Sequence, residues 1–176
     1  MNNTKRHKRL ILFRHAKSAW PEGFDDHDRP LADRGRKAAP VMGAWLAKHK
    51  LLPDLVMVST ARRAQETWQR AALAIKEKLP TKTSPDLYAA SDHALLAVVR
   101  ATAPEVNTLM LVGHNPGMED LAKRLMTNND SDAQSRLREK FPTGAIAVLS
   151  FKADAWSSLE DKCGSLDRFV TPKTIG

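Results

Sequence analysis

Four short apolar runs punctuate the chain, at Leu10–Phe13, Asp54–Val58, Thr108–Val112 and Ala145–Phe151, with a weaker fifth at Leu166–Val170. Their length and uniform hydrophobicity fit strands buried on both faces. Between them the period changes. Val41, Met42, Trp45 and Leu46 recur at helical spacing from about Asp33 to Lys48, with Asp33 as the expected N-cap. Further helices are expected from about Thr60 to Lys78, from an N-cap at Ser91 through Arg100, and from Asn115-Pro116 to about Met126. Pro53, Pro80 and Pro85 interrupt the pattern, and Leu87–Tyr88 reads as a short edge strand. Residues 20–31, rich in Pro and acidic side chains, read as a loop, and Asn128–Ser131 as a polar connector.

Strands alternating with helices predict an α/β fold. The expected architecture is a single three-layer domain with a mostly parallel central sheet flanked by helices, its late strands pairing antiparallel. At 176 residues the chain fits one domain. That domain is expected over residues 10–176, with residues 1–9 as a basic, flexible tail. Net charge is +8, and Lys5, Arg6, Lys8 and Arg9 supply four of the positive charges. A nucleic-acid partner is disfavoured, because few aromatics are interleaved with the basic residues to stack on bases. No apolar run approaches the roughly 18 residues that cross a membrane, and no secretory core follows the basic N-terminus. The lone Cys163 suits a reducing, cytoplasmic setting.

The chemistry lies at the strand ends. The first strand runs into Arg14-His15, the second into Ser59-Thr60-Ala61-Arg62-Arg63, and the third into Gly113-His114-Asn115. Open α/β sheets bind ligands beyond the carboxyl ends of their strands. If these strands are neighbours, two histidines and up to three arginines converge on one crevice, which suits a phosphate. Arg62 and Arg63 also fall in the first turn of an expected helix, where the dipole disfavours cations by roughly 0.3–1 kcal/mol each unless an anion compensates. Arginine grips phosphate through a planar fork that lysine lacks. Each motif alone carries little weight. An Arg-His pair is common, the Gly-His-Asn-Pro-Gly segment is an ordinary strand-to-helix turn, and Arg62-Arg63 is by itself a solvated pair.

In that order the motifs resemble those of the histidine phosphatase superfamily, which has the phosphoglycerate mutase-like fold. Leu12-Phe13-Arg14-His15-Ala16-Lys17-Ser18 looks like its Arg-His signature, and Arg29-Pro30-Leu31 through Gly35-Arg36 like its next landmark. Ser59–Thr67 is similar to the second arginine segment, and Leu111–Gly117 to the second histidine motif. The short chain and the Arg-His-Ala-Lys-Ser form resemble the SixA-like branch, the phosphohistidine phosphatases. The resemblance implies His15 as nucleophile and Arg14 and Arg63 on the phosphoryl oxygens. It also implies His114 completing the pocket and Ser18 adding a hydrogen bond. Arg62 adjoins the motif arginine but is unmatched. Ala16 and Ala32 depart from the usual glycine and Ser/Thr. The mutase branch has a glutamate proton donor; here Asp86 is the nearest candidate, and a turn residue is an equal reading of it.

The resemblance therefore implies a metal-independent hydrolase with no cofactor. It would cleave a phosphomonoester or phosphoramidate through a phosphohistidine on His15, and its partner would be a phosphorylated protein carrying phosphohistidine. A small phosphorylated metabolite as substrate, and a non-catalytic phospho-protein binding module, remain open alternatives. A neutral histidine nucleophile needs an acceptor on its second nitrogen, and a backbone carbonyl is expected in that place.

Overall fold

The computed structural model describes residues 7–175. Six strands form one sheet: β1 (His7–Arg14), β2 (Leu55–Ser59), β3 (Thr81–Ser84), β4 (Thr108–Gly113), β5 (Ile146–Lys152) and β6 (Ser165–Val170). Their order is β3-β2-β4-β1-β5-β6. The first four in that order are mutually parallel, while β5 is antiparallel to both β1 and β6. Only β5 therefore runs against the rest.

Helices cover both faces, as the strand pattern requires. Leu10 and Leu12 point to one face and Ile11 and Phe13 to the other, all fully buried. The first pair packs with α3 (Asp92–Arg100), α4 (Gly117–Leu125) and α5 (Asp132–Glu139). The second packs with α1 (Asp33–Lys48) and α2 (Arg62–Leu73), whose buried stripes include Met42, Trp45 and Leu46, and Ala64, Trp68 and Ala71. Burying each large apolar side chain contributes about 1.5–3 kcal/mol. A final turn, α6 (Pro172–Ile175), lies against α1.

Several expectations shift. The domain begins before residue 10: His7–Arg9 are the first residues of β1, and Lys8 is fully buried. Its ammonium donates to the carbonyls of Pro104 and Val106 and to Asn107 Oδ1, so this cation is held in the structure rather than solvated. The rest of the expected tail lies outside the described residues. The edge strand is Thr81–Ser84, not Leu87–Tyr88, because β2 hydrogen-bonds that earlier segment in parallel register and Pro85–Leu87 then turns as a 3-10 coil. α2 ends at Leu73, five residues short of the expected Lys78. Asp33 lies inside α1, and Ala32 at the N-cap offers no side-chain acceptor. Val41, counted in the apolar stripe, is exposed. α4 starts at Gly117, one residue after the expected proline, yet Asn115 Oδ1 still accepts from the Glu119 N–H at 3.2 Å. Ser91 caps α3 by accepting from Ala94 N.

Candidate active site

The three motif-bearing strands are neighbours, with β4 between β1 and β2, so their carboxyl ends lie side by side. The backbone around Arg14-His15 is tied on both flanks. His15 N donates to Gly113 O at 3.0 Å, Arg14 N to Ala145 O at 3.0 Å, and Gly144 N to His15 O at 2.9 Å. Gly35 allows the start of α1 to sit against the next segment, since a Cβ there would lie 2.1 Å from Lys17 O. The result brings the imidazoles of His15 and His114 within 5.2 Å, centroid to centroid.

His15 is 6% exposed, and its Nδ1 lies 2.7 Å from the carbonyl oxygen of Ala16. A carbonyl only accepts, so Nδ1 carries the proton and Nε2 presents a lone pair. The expected backbone acceptor is thus Ala16 O. Burial pushes the His15 pKa down to about 3; the Ala16 hydrogen bond opposes this, and the positive charges nearby, Arg63 and Arg14 among them, reinforce it.

His114 Nε2 is 2.7 Å from Ser59 Oγ. Ser59 Oγ also accepts from Ala61 N at 3.2 Å, and its contact with Nε2 leaves Nδ1 of His114 buried without a partner. Burial, with Arg63 next in effect, lowers the His114 pKa to about 4. Both imidazoles are therefore neutral near pH 7.

Two guanidiniums complete the floor. Arg14 Nη1 donates to Phe141 O at 2.9 Å. Arg63, 6% exposed, donates through Nη1 to Asp26 O at 2.7 Å and through Nη2 to Asp26 Oδ2 at 3.1 Å. Asp26 also accepts from the Tyr88 hydroxyl at 2.6 Å and from Arg29 Nε at 3.1 Å. The Tyr88 hydrogen bond, with Arg63 and Arg29 acting in the same sense, brings the Asp26 carboxyl down to about 2. Tyr88 lies edge-on to His114 at 5.6 Å, and its phenol is pushed up by Asp26. Among the described residues, four buried side-chain nitrogens lack a hydrogen-bond partner, and three of them belong here: Arg14 Nε, Arg63 Nε and His114 Nδ1. Unpaired buried polar atoms are rare and destabilising, and the Nε–H groups of Arg14 and Arg63 are donors that a bound anion would satisfy.

Residues 10–90 match the family model of the histidine phosphatase superfamily, branch 1. An uncharacterized protein of Mycobacterium tuberculosis is 38% identical over 162 residues, covering 91% of this chain and 99% of the relative. A solved structure from Nakamurella multipartitia, assigned as a phosphohistidine phosphatase SixA, is 30% identical at a TM-score of 0.82, covering 94% of this chain and 96% of the other. The chain belongs to the histidine phosphatase superfamily, in its SixA-like group. A second such structure, from Agrobacterium tumefaciens and also assigned as SixA, is 31% identical at a TM-score of 0.79, covering 94% of this chain and 98% of the other.

Within this histidine phosphatase domain, His15, His114, Arg14 and Arg63 come together, Ser18 is tied to the same network through Arg29, and Asp86 is exposed. Ser18 is buried and its Oγ accepts from Arg29 Nη1 at 2.9 Å, so it braces the neighbouring loop. Asp86 is exposed, and its carboxylate makes no hydrogen bond or ion pair among the described residues. Tyr88, two residues on, is the side chain that faces His114. Sequence reasoning missed Asp26, Tyr88 and Ser59, as well as Thr67, whose Oγ1 accepts from Ala16 N and donates to Arg63 O. Ser59 and Thr67 sit inside the matched arginine segment and were open to discovery there. Asp26 is one of several acidic residues in a loop, with nothing local to mark it.

The two depressed histidines make stability acid-sensitive. Both are neutral in the fold and titrate near 6.5 once unfolded, so unfolding takes up protons as pH falls below 6.5. Their contribution is whole above that value, declines by about 1.4 kcal/mol per proton per pH unit, and levels off near 4 and 3. Urea midpoints at pH 7.5 and 5.0 should show this fall, and His114→Gln should remove about half of it. A wild-type midpoint that does not move between these pH values would contradict the buried, neutral state.

Proposed function

We propose that this domain is a metal-independent phosphatase in which His15 Nε2 attacks a phosphoryl group, and that its substrate is phosphohistidine on a protein. The observation that carries the reading is a buried, neutral histidine with a free nitrogen, 5.2 Å from His114 and under the influence of Arg14 and Arg63, whose buried Nε donors have no partner. In the first step the Nε2–P bond forms as the bond to the leaving group breaks, and the donors hold the three phosphoryl oxygens as charge shifts onto them. Water then cleaves the Nε2–P bond, releasing inorganic phosphate and restoring the lone pair.

The leaving group follows from the groups around the nucleophile. An alkoxide needs a positioned acid, which contributes about 10²–10⁴-fold. Asp26 is held ionised, the Tyr88 hydrogen is engaged on Asp26, and both histidines are neutral. None is an acid poised near neutrality. A phosphohistidine ring takes its proton from solvent on its other nitrogen and leaves as neutral imidazole, so it asks for no such group. No three His, Cys, Asp or Glu side chains cluster as metal ligands among the described residues. No helix among them is long and apolar enough to cross a membrane, and the exposed Cys163 suits a cytoplasmic, reducing compartment.

The test is turnover in EDTA of phosphohistidine peptides, a panel of phosphorylated metabolites and p-nitrophenyl phosphate. Activity should survive chelation, with kcat/KM for the peptides highest. Loss in EDTA restored by a divalent ion would overturn the metal-free mechanism. A metabolite as the best substrate would overturn the phosphohistidine assignment. Tight phosphopeptide binding without any turnover would make the domain a binding module.

A further inference from the structure

The segment 20–28 carries four carboxylates and no Lys or Arg, in a chain whose net charge is +8. It is fastened beside the nucleophile: Asp26 is bonded to Arg63 and Tyr88, and His27 Nε2 lies 2.8 Å from Thr60 Oγ1. Only part of it serves the site. Asp26 braces Arg63, and Asp28 lies 3.6 Å from His27. Glu22 and Asp25 are exposed, and their carboxylates make no hydrogen bond or ion pair among the described residues. On the same segment Trp20 is 75% and Phe24 48% exposed. Trp20 lies against the Arg29 guanidinium at 3.5 Å, which holds its indole in place with one face outward. Among the described residues, the other two exposed large apolar side chains, Val41 and Leu73, lie on helices and not on this segment.

Resting on the phosphatase reading, we propose that this lip is a docking surface for the protein substrate, and that it selects a phosphohistidine flanked by basic and apolar residues. His15 is only 6% exposed, so a phosphohistidine on a polypeptide reaches Nε2 only if the residues beside it press against the surrounding surface. On this side that surface offers two outward aromatics and two free carboxylates. Aromatic side chains with little fold role, set next to unspent charges, are the composition of recognition surfaces. The carboxylates attract Arg or Lys beside the phosphohistidine and repel acidic neighbours.

The experiment uses two phosphohistidine peptides of equal length, with Arg-Leu or Glu-Gly flanks, and p-nitrophenyl phosphate as a flank-free control. Wild type should favour the Arg-Leu peptide by about tenfold in kcat/KM, and the preference should shrink in 0.5 M salt. Glu22→Lys with Asp25→Lys should invert the preference. Phe24→Ala should lower kcat/KM for the Arg-Leu peptide by about tenfold. Neither change should move the p-nitrophenyl phosphate rate. Dissociation constants of both peptides on His15→Ala, with and without the lip changes, give the same comparison without turnover, so absent catalysis is separable from an absent docking surface. Equal preference in wild type and the charge-reversed protein overturns the proposal. So does an equal gain for every substrate, the p-nitrophenyl ester included, which would make the carboxylates a general barrier to anions.

Discussion

His15→Ala should reduce turnover by at least about 10³-fold, because loss of a covalent nucleophile removes the reaction path and leaves only the anion cradle. Wild-type protein quenched early in turnover should carry acid-labile, alkali-stable phosphate, and the variant none. The fold should persist. The imidazole's one hydrogen bond goes to the adjacent Ala16 carbonyl, while the backbone bonds of residue 15 to Gly113 and Gly144 do not involve the side chain. A far-ultraviolet spectrum like wild type and a melting temperature within a few degrees would establish this. More than a few per cent of residual activity in such a folded variant would move the nucleophile elsewhere, with His114 the next candidate.

Arg63→Ala should cost at least 10–100-fold in kcat/KM on a small phosphoester, while Arg62→Ala costs less than about threefold. Hydrogen bonds to charged groups are worth roughly 1.5–3 kcal/mol, and Arg63 holds Asp26 besides facing the pocket. The two residues are adjacent in sequence but about 100° apart around α2. Arg63 is buried, whereas Arg62 is exposed and spends its Nε on Glu66 at 2.7 Å, an i,i+4 surface pair of little energetic weight. If Arg62→Ala proves the more damaging, the anion does not sit where Arg63 Nε points and the pocket geometry fails.

How much was legible in the sequence depended on whether a feature is local. The buried strands announce themselves, because Leu10–Phe13 and Thr108–Val112 are apolar on both faces. The residues at their ends were legible too, since a strand end followed by Arg-His or Gly-His is a contiguous pattern. Polar elements were not. β3 is Thr-Lys-Thr-Ser with three exposed residues, and it is a strand only because β2 offers it an edge. α5 buries little more than Gln134 and Leu137, so no apolar stripe betrays it, although Ser131 caps it from a position the sequence shows plainly. Lys8 reads as a solvated tail charge and is instead a fully buried bracket, because its three acceptors arrive from residues 104–107. Asp26 and Tyr88 are 62 residues apart, and no spacing rule joins them.

The central position of β1 also has a consequence for the order in which the protein is made. This first strand has neighbours only in β4 and β5, which begin at residues 108 and 146. At synthesis rates of about 5–20 residues per second, an emerging Leu-Ile-Leu-Phe strand waits on the order of ten seconds with both edges unpaired. The carbonyls of Arg14 and His15 meet their Gly144 donor only after more than 100 further residues have been added. The Arg14-His15 dipeptide is thus translated well before the residue that fastens it, and a chain halted short of Gly144 carries the proposed nucleophile without the geometry that would make it one.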